Sequence, residues 1–315
     1  MFKDKNVNID YVEEEHGPLY TFFSSFGTYF LNFMSANIIY IILNIPAMII
    51  CFLFALFLLP QFSSAFTPEN FVEYMNSLGI VGNKVMNDVG GDAVFQVYYL
   101  IVLIISMFLV GSGLMSIGPF ETGVQYLYRN IYRKNVIFLI SDIKDGITKN
   151  AKQAFKAMLI SYAFTGVLLF AIAFYVNNFG SFGTGVAAFF VAVFLFFIII
   201  QNMVYQMIVA VDLPLKKIYK NAVLFLFMRF GPCLLLLGIT ILLLLILPYF
   251  LLLTTKFIAY AVVIVAYITI LVSFIQFMFA YYTEELIKTY VFKPSLPVEK
   301  EESEVNDSSN VDSGD

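Results

Sequence analysis

The chain has 315 residues, of which 60% are hydrophobic and only 13% charged, and its mean hydropathy is +0.85. A soluble domain carries about 25% charged residues, so a soluble enzyme, a disordered protein and a nucleic-acid-binding domain are excluded, and a multi-span helical membrane protein remains. The net charge of −4 is a local effect: residues 298–315 hold seven acids and one Lys, and setting that −6 aside leaves the rest near +2.

In chain order, residues 1–16 are polar and mostly acidic and are expected to form a short cytoplasmic segment. The apolar stretch that follows is far too long for a signal-peptide core. His16, the one histidine, reads as a solvated residue. Residues 19–34 are dense in aromatics with Ser and Thr between them, the pattern of a helix at headgroup level. A span needs about 20 apolar residues, and charge-free runs supply six, near 37–59, 95–117, 157–176, 186–210, 230–253 and 257–281. The expected fold is therefore all-α: a polytopic helical bundle with amphipathic elbow helices, the membrane domain running over 17–293.

Between the first two spans, 60–92 reads as an outer loop with Glu69, Glu73, Asp88 and Asp92, the last two flanking a Val-Gly-Gly turn. Their spacing lacks the alternating oxygen ligands of a calcium loop, so a hydrated loop is the expectation. The second span closes on Gly111-Ser-Gly113 and Gly118-Pro119. Small residues allow close helix contact and Pro119 cannot continue a helix, so a sharp bend should lead into a surface helix at 121–134. Asn177, Asn178, Gly180, Ser181, Gly183 and Gly185 mark the turn between the third and fourth spans. Lys256 alone parts the last two, which should form a tight hairpin. The tail 294–315, acidic and Ser-rich with Pro294 and Pro297, is expected to be disordered.

Lys and Arg near span ends mark the cytoplasmic face. On a six-span path with both termini inside, sixteen of the eighteen basic residues fall on that face, and only Lys84 and Lys256 lie opposite. Two inner segments resemble each other, each with Ile-x-Lys-Asn-Ala, at 147–151 and 218–222. Residues 142–158 should lie on the membrane surface and bend into the third span, with Lys149, Lys152 and Lys156 on one face. Lys216, Lys217 and Lys220 precede the fifth span in the same way. Two readings stay open for these cations together with Arg129, Arg133 and Lys134. One is lipid headgroup contact at about 1 kcal/mol each, the other a docking face for a cytoplasmic partner. The shared pattern also leaves open an internal duplication.

The spans carry no ionisable residue in their middles, where proton relays and ion-coupled pumps place them. No metalloprotease, hydrolase-elbow or phosphate-loop motif is present. The expectation is a protein without catalytic residues, cofactor or metal. Cys51 and Cys233 each sit in an apolar run and read as small buried hydrophobes. The amides of Asn37, Asn44, Gln201, Asn202, Gln206 and Gln276, with Ser273, need partners inside lipid. They form inter-helix hydrogen bonds or line a substrate path.

Several of these residues resemble the DUF624 (YesL-like) family of bacterial membrane proteins. The matching pieces are Gly17-Pro18-Leu19, Asn37 with Pro46 nine residues on, Ile117-Gly118-Pro119, Tyr128-Arg129 and Lys149-Asn150-Ala151-Lys152-Gln153-Ala154. They cover about 17–175. Asn37, Pro46, Gly118 and Pro119 form the structural motif. The family has no established activity, and its members often accompany carbohydrate-uptake and carbohydrate-degradation genes of Gram-positive bacteria. The resemblance implies a bacterial cell-membrane location and a carbohydrate-transport context. The sequence thus leads to a non-enzymatic, multi-pass accessory or regulatory partner of a transport system, in contact with the bilayer and with transporter or sensor subunits but not with nucleic acid. The alternative is a transporter or permease subunit moving a small solute.

Overall fold

The structure, a computed structural model, describes residues 17–77, 83–253 and 257–292. The segments 1–16 and 293–315, and Lys256, lie outside the described residues. Among those described there are helices and turns but no strand. The architecture is an all-α membrane bundle.

Helix α1 (Pro18–Thr28) starts with Pro18 in its first turn, where a missing N–H is harmless. It leads directly into α2 (Phe30–Phe62), 33 residues long with Pro46 and Pro60 inside it. The expected outer loop is largely helical, comprising a turn at Ser64–Phe66, α3 (Pro68–Ser77) and the start of α4 (Asn83–Gly111). Asp88 and Asp92 therefore lie within α4 rather than in a turn. α4 stops at Gly111, six residues before the expected end of the second span, because residues 112–117 are irregular.

α5 (Gly118–Tyr132) takes Pro119 in its first turn. α6 (Leu139–Asn178) is one unbroken helix of 40 residues. At ~1.5 Å per residue it is about 60 Å long, twice a ~30 Å bilayer core. The expected bend near residue 158 is absent, since no Gly or Pro interrupts 147–165. α7 (Gly180–Ala210), α8 (Leu215–Met228) and α9 (Phe230–Ile241) follow. α9 runs through a π-helical turn at Leu242–Ile246 into α10 (Leu247–Leu253). α11 (Phe257–Ala266) runs through a second π-helical turn, Tyr267–Leu271, into α12 (Val272–Ile287).

Five described helices are long and apolar enough to cross a membrane: Phe30–Phe62, Leu139–Asn178, Gly180–Ala210, Phe230–Leu251 and Ile258–Val291. Gln96–Gly111 is apolar but shorter. The bundle is inside-out by soluble standards. Large apolar side chains such as Ile42, Ile49, Leu53, Phe57, Val167 and Leu235 are exposed, while Asn37, Asn44, Glu121, Arg129, Asn202, Gln206, Gln276 and Glu284 are fully buried. Only a lipid solvent makes that arrangement favourable, because water would reverse both preferences.

The tightest crossing joins α5 to α6. A Cβ on Gly118 would lie 2.3 Å from the Ala154 carbonyl oxygen, one on Gly123 2.9 Å from that of Ile143, and one on Gly146 2.8 Å from that of Thr122. Three glycines thus let two backbones touch, as small residues do at helix interfaces in membranes. α5 is consequently buried. The surface helix expected at 121–134 is an inner helix wedged among α2, α6, α7 and α12.

Candidate functional site: a buried polar core

The irregular segment 112–117 breaks the helical ladder in the interior, and neighbouring helices satisfy the carbonyls this frees. Asn202 Nδ2 on α7 donates to Ser112 O at 2.7 Å, Ser161 Oγ on α6 to Leu114 O at 2.6 Å, and the Tyr162 hydroxyl to Met115 O at 2.8 Å. The Ile117 amide donates to Asn44 Oδ1 at 2.7 Å, tying α5's start to α2. Gly113 has φ 75°, which a residue with a side chain rarely adopts. Non-helical backbone at membrane depth survives only when protein or cavity groups meet its hydrogen bonds.

The amide of Asn37 does the same for the π-helical turn before α12. Its Nδ2 donates to Tyr267 O and Ile268 O, both at 2.7 Å, and the Ser273 amide donates to its Oδ1 at 2.7 Å. One side chain of α2 is spliced into the backbone ladder of the last span. A parallel repair occurs at Pro248, which has no N–H for the Leu244 carbonyl; the Tyr267 hydroxyl donates to that oxygen.

Below the irregular segment, α5 presents Glu121, Gln125 and Arg129 at i, i+4 and i+8, one buried stripe. Its two charged members sit in opposite environments. Arg129 Nε lies 3.0 Å from Glu284 Oε1 on α12, and Arg133 Nη2 lies 3.8 Å from Glu284 Oε2. Gln206 Nε2 donates to Glu284 Oε1 at 2.7 Å. Arg129 Nη1 and Nη2 also donate to the Val209 and Ala210 carbonyls, at 3.1 and 3.0 Å, where the negative end of the α7 dipole favours a cation.

Glu121 makes none of the described ion pairs. Gln125 Nε2 and Gln276 Nε2 donate to its two oxygens at 3.0 and 3.2 Å. The Tyr40 hydroxyl lies 2.8 Å from Glu121 Oε2 and 2.9 Å from Val110 O. The phenol proton is shared between these two acceptors, so Tyr40 donates to both the carboxyl group and the carbonyl. Burial holds Glu121 above the usual carboxylate range, because desolvation disfavours the charged form. The core thus contains one carboxyl group in an ion pair, Glu284, and one met only by uncharged donors, Glu121.

These placements revise the sequence expectations. Arg129 and Arg133, expected at lipid headgroups or a partner, are buried and face Glu284; desolvating an arginine is tolerable only beside a carboxylate. The ionisable groups missing from the span middles enter from helix ends instead. The sequence clue was the 4-residue spacing of Glu121, Gln125 and Arg129 on one face, with Glu284 just past the last apolar run. Lys134, Lys149, Lys152, Lys156, Lys216, Lys217 and Lys220 are exposed as expected. Gln153 Nε2 on α6 donates to Leu213 O at 2.8 Å, in the link between α7 and α8, so the two lysine-bearing segments are joined at one end of the bundle. Lys149 Nζ pairs with Asp145 Oδ2 at 2.8 Å and lies 5.2 Å over the Tyr126 ring. Asn37 and Gly118 act inside the core, Pro119 opens α5, and Pro46 is exposed on α2. Cys51 and Cys233 are buried free thiols.

No protein-family model, curated protein or solved structure matches this chain.

Proposed function

We propose that the protein is a non-enzymatic, multi-pass accessory or regulatory subunit that presents a rigid basic surface to a transport complex at the cytoplasmic face of a bacterial cell membrane. The observation that carries this reading is the Gln153–Leu213 hydrogen bond, which ties the lysine-bearing part of α6 to the link that leads into α8. The glycine crossing with α5 stiffens the lysine-bearing half of α6, so the partner meets a preorganised surface and less ordering entropy is lost on binding. The resemblance over 17–175 supports the carbohydrate-uptake context.

The test is chemical cross-linking in native membranes, with the cross-linked lysines mapped. A transport or sensor subunit should be captured through Lys152, Lys156, Lys216 or Lys217. Reversing those four charges should release it while the protein stays inserted. Capture that survives charge reversal would refute the reading.

A second reading, a transporter or permease subunit, is favoured by the broken helix at 112–117 beside the buried Glu121, since discontinuous helices serve transporter sites. Solute uptake by the purified protein in liposomes, abolished in Glu121→Gln, would establish it.

A further inference from the structure

We propose that the groove between α1, α9 and α12 binds one anionic phospholipid, its phosphate on Arg229 and an acyl chain along α9. The groove encloses about 370 Å³, within the ~300–1,000 Å³ of ligand clefts. Its walls are apolar, formed by Phe22 and Phe23 of α1, Leu235 and Ile239 of α9, and Phe274 and Met278 of α12. Phe22 is locked there, stacked on Phe277 with centroids 5.3 Å apart.

Polarity is confined to one end, where Arg229, Glu285, Thr289 and Tyr290 line the groove. Arg229 occupies the break between α8 and α9 and is exposed. Its Nε donates to the Tyr290 hydroxyl at 2.9 Å and its guanidinium lies 5.8 Å from that ring's centroid. Those contacts fix the group and leave both Nη atoms without a partner among the described residues. Glu285 accepts the Tyr132 hydroxyl at 2.6 Å and makes no described ion pair with Arg229. A fixed cation with two free donors suits the two oxygens of a phosphate.

Length selects the rest of the ligand. From Arg229 to Ile239 the helix rises about 15 Å, half of a ~30 Å bilayer core. The groove is one leaflet deep, with its cation at the headgroup end. An acyl chain matches that depth, and charge complementarity assigns the headgroup as anionic.

The test uses the full chain in phosphatidylcholine vesicles containing a trace of phosphatidylglycerol with a photoreactive acyl chain. Irradiation should label peptides spanning 232–239 and 274–282. Unlabelled phosphatidylglycerol should displace the probe about fivefold better than phosphatidylcholine, the equivalent of about 1 kcal/mol for one cation at an anionic lipid. Arg229→Gln should erase that preference and Arg229→Lys retain it, while Leu235→Trp should lower labelling whichever lipid competes. Equal displacement by the two lipids, labelling outside the groove, or an unchanged preference in Arg229→Gln would overturn the proposal. The wild-type competition decides it even if a variant fails to fold.

Discussion

The two Ile-x-Lys-Asn-Ala segments start alike and end differently. At 147–151 the pattern lies inside α6, which runs on without interruption to Asn178. At 218–222 it lies in α8, which stops at Met228 before α9 begins. The difference lies downstream. Lys152 to Thr165 contain no helix breaker, whereas Phe230-Gly231-Pro232 follow Arg229. The ring of Pro232 would clash with the carbonyl four residues back, and that residue is Met228. Four shared residues set helical character and the lysine face, but a proline ten residues later decides whether the segment is a stiff extension or a hinged elbow. The segments also differ in what they lean on. The first is pinned to α5 through Gly118, Gly123 and Gly146; the second touches α7 through Tyr219, whose hydroxyl donates to Gln201 Oε1 at 2.9 Å.

The largest effect should come from the residue that serves both segments. Arg129 sits on α5 against the first and caps the end of α7 that leads to the second. Arg129→Leu removes the nearer of the two arginines facing the buried Glu284 and should cost about 3–5 kcal/mol, read as a lowered Tm in detergent. A Tm within a degree or two of wild type would show that the ion pair is dispensable. Next, Gly146→Ala forces a Cβ against the Thr122 carbonyl and should cost about 1–3 kcal/mol. Gly231→Ala in the second segment meets nothing within 4 Å and should change stability by under ~0.5 kcal/mol. Equal losses would erase the contrast between pinned and free segments.

Glu121→Gln addresses the buried carboxyl group on α5. Its folded-state pKa is raised, so the folded protein keeps a proton that the unfolded chain releases. Wild-type stability should therefore fall as pH rises from the ordinary carboxylate pKa toward the folded one. Below the ordinary value both states are protonated and the penalty vanishes. In Glu121→Gln this decline should be absent, as pH-dependent melting curves would show, and a decline as steep as wild type would clear Glu121 of responsibility. Pro232→Ala should fuse α8 with α9. Spin labels at 220 and 239 would then move apart to the separation of a continuous helix, and an unchanged distance would mean that packing, not proline, sets the hinge. A small gain is expected at Lys134, whose φ of 55° closes α5. Asn135 donates its amide to Asn130 O and Lys134 to Ile131 O, both at 3.0 Å, a helix end that prefers glycine. Lys134→Gly should stabilise by about 0.4–1 kcal/mol.

Fold class and the lipid-facing helices were legible because apolar runs and charge placement respond directly to solvent. The exposed lysines were legible for the same reason. The inner placement of α5 was not. Its amphipathic pattern is that of a surface helix, and only the three glycines, Gly118 and Gly123 on α5 and Gly146 on α6, reveal that its polar stripe meets other polar groups rather than water. Arg129 and Glu284 are 155 residues apart, so no local pattern pairs them. Asn37 and Asn44 were recognisable as amides needing partners, but their partners are backbone groups at a π-helical turn and a broken helix, features without a residue signature.

The splice made by Asn37 has a consequence for biogenesis. Ser273 and Asn37 are 236 positions apart, so the final span reaches the bilayer with gaps in its own ladder that only the first span can fill. Until the two meet, that span carries open polar groups into hydrocarbon. The first span must wait with an unsatisfied amide while everything between them is synthesised. Assembly is thus closed by the last segment to emerge, like a clasp, and a product truncated before it leaves the Asn37 amide without these partners.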